Sequence, residues 1–341
     1  MLDSAYSAFG STTPVHDPGG ERIRWFCPWL ISGRSVLLKA LDNLASWEGR
    51  VGVSRVTARI VSAGELPPGC EKLLVDRGFK VEARVSMSGA RKLVISYIGK
   101  CGASRRSDVD DSHQEKLLLD NILARDRKAP AKIVAEFESL NDFRVETVAP
   151  HCLSPADIER LVCMHSETFP TFPYNFRKKL GIMLRNPGTY LMVIVRSLLN
   201  KQIYAFSNLE LNTLKLDDGT RLCLAEYDNT MRVTACPDHG AVSGLGGILR
   251  LQLAKLAVRN EADLCHSESR AGLASINGNS YQMGMHFGGA LEKHLLISGQ
   301  SDIDYKAPTR FETMNVWYLN RRDLMAFEAE LSAGMKKTNP G

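Results

Sequence analysis

Residues 222–289 constrain this chain most, because they read strand, glycine-rich turn, helix, strand, helix. Leu222–Ala235 is long and β-prone. Cys236–Gly240 stops it, since Pro237 has no N–H for a ladder and Asp238 and Gly240 favour a turn. Ala241–Gly247 then runs into Ile248–Val258, with apolar residues at 248, 249, 251, 253, 254, 256 and 257. That pattern predicts a helix buried over much of its surface.

A glycine-rich turn that opens a helix suits an anion. The first helical N–H groups have no internal partner, and the helix dipole places partial positive charge there. Gly244, Gly246 and Gly247 would let phosphate oxygens reach the backbone. A tight turn without a ligand would use the same glycines. The P-loop needs Lys-Ser/Thr after its last glycine, whereas Ile248-Leu249 follow here. The dinucleotide motif needs a third glycine where Leu249 stands.

Ala241-Val242-Ser243-Gly244-Leu245-Gly246 resembles the Arg/Gln-x-x-Gly-x-Gly/Ala motif of the GNAT acyltransferases, departing at Ala241. The segments after it are similar to the β-lysine ε-N-acetyltransferase-like branch: Ser269-Arg270-Ala271, Ile276-Asn277, Met283-Gly284, Phe287–Leu291, Ile297–Gly299 and Met314–Tyr318. The resemblance covers about residues 140–320 well and 35–100 loosely. It implies an α/β (α+β) fold with a splayed mixed sheet. It also implies transfer from acetyl-CoA or another acyl-CoA to a small-molecule amine, an amino acid or a relative, by direct attack and without a metal.

Further implications are residue by residue. Pantetheine would add as a pseudo-strand near Val233 and Ala235, and pyrophosphate would sit on Ala241, Val242, Ser243, Gly244, Leu245, Gly246 and Gly247. Asn277 would cap or orient the following helix on the cofactor side. Phe172 and Tyr174 would border the acceptor, with Glu268 beside it. The family's proton donor is a tyrosine four residues before the helix-ending glycine. Counting back from Gly284 gives Ser280, and Tyr281 is about 100° away around the helix. Glu226 and Asp228 share a strand face by the period of two and are candidate bases, and Glu268 on the next strand is a third. Each of these carboxylates, and Tyr281, also has a plain structural reading.

With 341 residues, 44% hydrophobic and 24% charged, the chain suits two globular domains. We expect a disordered stretch over 1–20, a small α/β unit over 21–101, a linker over 102–131, the transferase domain over 132–330 and a tail over 331–341. The order strand, Glu71–Phe79, strand resembles the last third of the same fold without its glycine turn, hence a degenerate, non-catalytic unit. A net charge of +5 attracts anionic ligands but is modest for a dedicated nucleic-acid domain. No apolar run approaches the ~18 residues of a membrane span, and the N-terminus lacks a secretory pattern. Eight cysteines without a C-x-x-C pair predict free thiols in the cytoplasm and no metal site. An aminoacyl-tRNA-dependent, amide-forming transferase and a non-catalytic binding module remain alternatives, and the oligomeric state is not legible.

Overall fold

The structure is a computed structural model; it describes residues 12–338 apart from 18, 49, 51, 89–91, 103–104, 106–108, 128–131, 133, 136–140, 149–151, 173, 234–243, 298–300 and 304–310. Twelve strands and eight helices follow in chain order among these residues. The first part holds β1 (Val15–Asp17), β2 (Arg22–Leu30), α1 (Arg34–Glu48), β3 (Arg55–Ala63), α2 (Cys70–Asp76), β4 (Lys80–Ser86) and β5 (Leu93–Cys101). α3 (Val109–Leu123) connects it to β6 (Phe143–Val148), α4 (Pro155–Thr168), α5 (Phe176–Arg185), β7 (Tyr190–Ser197), β8 (Ile203–Lys215) and β9 (Arg221–Arg232). The chain continues through α6 (Leu245–Arg259), β10 (Leu264–Arg270), α7 (Ala274–Gln282), β11 (His286–Leu296), β12 (Phe311–Asn320) and α8 (Arg321–Thr338).

All strands join one mixed sheet in the order β1-β2-β3-β5-β4-β11-β12-β10-β9-β8-β7-β6. Two pairs are parallel, β2 with β3 and β9 with β10. The sheet bends back on itself. Phe26, Val61, Val85 and Ile95 of the first half pack against Leu222, Leu224, Leu264 and Met314 of the second in one buried cluster. Asp217 ties the fold-over, donating its N–H to Pro28 O at 2.9 Å and accepting from Leu30 N at 3.0 Å. α1 and α2 cover the outer face of the first half, whereas α6 and α8 cover the outer face of the second. α4 and α5 lie on the inner face of β6–β8.

Local rules explain the helices that border the site. Ser154 and Asp157 form a reciprocal capping box with Pro155 in the first turn, so α4 starts where the sequence predicts. α5 follows a segment that carries Pro170 and Pro173. Asn175 caps it, accepting from Lys178 N at 3.0 Å. Its buried stripe is Phe176, Lys179, Leu180 and Met183.

Three boundaries differ from expectation. Val15–Asp17, inside the stretch expected to be disordered, form β1 against β2, and Asp17 accepts from Arg22 Nε at 2.9 Å. β2 was missed because arginines alternate with its apolar residues and Pro28 interrupts them; residues 1–11 lie outside the described ones. α8 continues through the expected tail to Thr338.

Candidate functional site

The parallel ladder between β9 and β10 is short. It pairs Leu224–Tyr227 with Leu264–Ser267 and ends there. Beyond that point β9 stays with β8, as far as Arg232 opposite Ala205, and β10 stays with β12, as far as Arg270 opposite Met314. The two strands therefore diverge, and a cavity of about 360 Å³ opens where they part. That volume lies in the ordinary range for small-molecule sites, roughly 300–1,000 Å³.

Glu226, Asp228 and Glu268 line this cavity, as do Phe172, Tyr174, Val233 and Gly246. The sequence-derived carboxylates, aromatic residues and two of the cofactor contacts thus converge. Gly244 begins α6 at φ 85° with no side-chain cap, which leaves the amides of Leu245, Gly246 and Gly247 without a capping side chain. A Cβ on Gly246 would stand 2.8 Å from Asn279 Nδ2, so any larger residue there would push the Asn279 side chain aside. Ala235, Ala241, Val242 and Ser243 lie outside the described residues.

The three carboxylates have different surroundings. Asp228 is ion-paired with Lys179 and also accepts from Asn229 Nδ2 at 2.9 Å and Asn208 Nδ2 at 3.2 Å. Lys179 is buried; burial works against its charge, but Asp228 outweighs it and holds the ammonium well above its ordinary range. Glu268 accepts from Arg59 Nη2 at 2.6 Å and lies 3.3 Å from His294 Nε2. Burial disfavours its charge, yet Arg59 and His294 together hold it well below the usual carboxylate range. Glu226 is only 5% exposed, and its Oε2 has no hydrogen-bond partner among the described residues. Burial, then the charge of Glu268, pushes it well above the usual range. Burial thus favours the protonated form of Glu226, whereas Glu268 is held as a carboxylate.

The remaining candidates lie elsewhere. Ser280 is fully buried, donating to Ile276 O at 3.1 Å and accepting from Arg250 Nη1 at 2.6 Å. Tyr281 turns to the connecting segment, where its hydroxyl donates to Leu123 O at 3.1 Å. Neither lines the cavity, because the face of α7 that does carries Ser275, Ile276 and Asn279. Asn277 lies inside α7 rather than at its cap. Its amide donates to Arg270 O and Leu273 O, and its Oδ1 accepts from Asn315 and Trp317. That arrangement fixes α7 to β10 and β12, a structural role one step away from the cavity.

Several lining residues were not foreseen. Arg22 and Arg24, both on β2, form part of the wall, and Lys179, His294 and Asn279 complete it. Lys179 left one signal, a lysine on the apolar stripe of α5. The others left none, since their partners are distant in sequence; Arg59 and Glu268 are 209 residues apart. Among the described residues no group of three or more His, Cys, Asp or Glu is placed to hold a metal ion. No helix there is long and apolar enough to cross a membrane.

No family model matches the chain, and no curated protein matches it. Solved acetyltransferases align with about half of it. Salmonella typhimurium yncA, solved with acetyl-CoA, is 12% identical, covers 53% of this chain and 95% of its own, and has a TM-score of 0.38. Arabidopsis thaliana NAA60 with acetyl-CoA gives 13%, 53%, 99% and 0.41. The ribosomal-protein-S18-alanine N-acetyltransferase of Escherichia coli gives 17%, 52%, 93% and 0.35. The chain's own strand order and the parting of β9 and β10 define a mixed α+β sheet with an opening between two parallel strands.

Proposed function

We propose that the chain is an N-acyltransferase of the GNAT type, moving an acyl group from acyl-CoA to the amine of an amino acid or related small molecule. The observation that carries this reading is the parting of β9 and β10 beyond Tyr227 and Ser267 beside the uncapped start of α6. The residues present fit acyl-CoA. The α6 amides suit a diphosphate, the free inner edges of the parted strands suit pantetheine, and Gly246 leaves room between them. Bound there, acyl-CoA would supply an activated thioester carbonyl.

The chain's own groups then do three things. The cavity orients the acceptor amine between the aromatic wall of Phe172 and Tyr174 and the carboxyl floor. Attack forms the C–N bond as the C–S bond breaks. Glu226, in its carboxylate form, takes the proton that the amine gives up. Arg22 and Arg24 also line the cavity; they share Asp17 between them, and the remaining positive charge suits a carboxylate on the acceptor, which supports an amino-acid-like substrate. We also propose that the N-terminal half is a non-catalytic copy of the same unit that completes the acceptor wall. Mass-spectrometric assay of acetyl transfer to a panel of amino acids and polyamines tests the reading. Acylated amino acid made by the wild type and not by E226Q is expected; acylated polyamine alone would overturn the acceptor class.

A further inference from the structure

We propose that Arg59, on β3 of the N-terminal half, is a positioning residue for the site: with His294 it clamps Glu268 in place, so that Glu226 alone of this carboxyl pair exchanges the acceptor's proton. The base assignment rests on the acyltransferase reading; the division of roles between the two carboxyls stands on geometry.

The two carboxyls sit on neighbouring strands and line one cavity, so they compete for the same protons and cations. The N-terminal half resolves the competition asymmetrically. Arg59 gives its Nη2 to Glu268 Oε1 at 2.6 Å, and His294 Nε2 stands 3.3 Å from Glu268 Oε2. Both Glu268 oxygens are thereby engaged. The link to Glu226 is indirect and looser. Tyr97 on β5 lies under the Arg59 guanidinium at 5.0 Å and has its hydroxyl 3.4 Å from His266 Nδ1. His266 Nε2 in turn lies 3.6 Å from Glu226 Oε2, beyond hydrogen-bond length. A carboxylate engaged at both oxygens is a fixed charge, whereas one with an unpartnered oxygen in a cavity is available for transfer.

The groups facing the pair come from every packed strand: Arg22 from β2, Arg59 from β3, Tyr97 from β5, Glu210 from β8, Asp228 from β9, His266 from β10 and His294 from β11. The directions agree with the geometry. Arg59 lowers both carboxyls, and the Glu268 charge raises Glu226. His266, held down to about 3 by burial and then by the Arg59 charge, stays neutral and cannot neutralise Glu226.

Infrared titration of the ligand-free full chain tests this without relying on any activity. A protonated-carboxyl band should persist at neutral pH in the wild type and vanish in E226Q. E268Q should move its titration to lower pH by about one unit or more, because a neighbouring negative charge is gone. R59M should add a second protonated carboxyl, assigned by its loss in R59M/E268Q, and R59K should restore the wild-type pattern. In the acyl-transfer assay the acidic limb of kcat/KM should move in R59M and stay in place in R59K, a split that a merely structural arginine would not give. Should R59M fail to fold, the E268Q shift decides. A wild-type band that survives E226Q, or a band unmoved in both R59M and E268Q, overturns the proposal. A band that behaves as described in a protein without transfer activity would leave the division of roles standing and remove the acyltransferase reading.

Discussion

The two halves of this sheet share one connectivity and differ in one opening. β2-α1-β3-α2-β4-β5 lies in the order β2-β3-β5-β4, and β9-α6-β10-α7-β11-β12 lies in the order β9-β10-β12-β11. Each begins with a parallel pair joined by a helix, and the corresponding strands β4 and β11 meet at the centre, antiparallel. In the first half the parallel pair stays together: Arg22–Phe26 matches Arg55–Arg59, Leu30 matches Val61, and Ile31 N still donates to Val61 O at 2.7 Å. In the second half pairing stops after four residues, and a cavity fills the gap. Only three residues separate β2 from α1, whereas twelve separate β9 from α6. Identical topology thus yields a packed wall in one place and a cavity in the other. What differs is the number of residues between the first strand of the parallel pair and its helix, together with the polar residues on the strands that part.

If chemistry belongs to the open half alone, the largest effect should come from its unpartnered carboxyl. E226Q should lower kcat/KM by about 10²–10⁴-fold, the usual contribution of a general base, while its melting temperature stays at or above wild type because a buried titratable group is gone. A steady-state assay paired with a thermal melt separates the two.

Acid should damage the second half's packing through buried neutral histidines. Burial holds His165 down to about 4 and His266 down to about 3. Their folded values lie below the unfolded value of about 6.5, so the stability they confer is complete above that pH and is lost as pH falls toward 4 and 3. The loss should reach a few kcal/mol, partly offset by Glu226, whose raised value favours the folded state as pH falls toward about 4.3. Denaturant melts from pH 7 to 4 should show the decline, and H165F should flatten part of it. An unchanged slope in H165F would remove His165 from the explanation.

The junction between halves comes next. Gly289 sits at φ +137° opposite Ala83, and a Cβ there would run into Glu82 O and Ala83 Cα. G289A should cost about 1–3 kcal/mol by chemical denaturation, with a larger loss for valine. A neutral result would mean that the halves are not held in this register.

The smallest effect sharpens the comparison from the other side. Y281F removes one hydrogen bond to Leu123 O on the connecting segment and should cost about 1 kcal/mol or less, with kcat within about threefold of wild type. A loss of a hundredfold would return Tyr281 to the chemistry.

Much of this was legible in the sequence, and the limits are physical. The strand-turn-helix order, the apolar run of α6 and the alternation on β9 are local patterns, and Glu226, Asp228 and Gly246 followed from them, whereas Phe172 followed only from the family resemblance. The charge pattern was not local. Lys179 neutralises Asp228 from another element, and Arg59 reaches Glu268 from the opposite half, so no spacing rule could pair them. Ser280 and Tyr281 were placed by counting back from Gly284. α7 ends at Gln282, and its rotation presents Asn279 instead. A one-position ambiguity in a helix moves a side chain by about 100°, enough to exchange cavity for core.

Calorimetric titration of acetyl-CoA into the full chain and into G246V tests the central claim most directly. The account predicts saturable one-to-one binding tighter than millimolar in the wild type and at least tenfold weaker in the variant, whose side chain would fill the space beside Asn279. No binding to the wild type at millimolar ligand, or equal affinity in both, would contradict it.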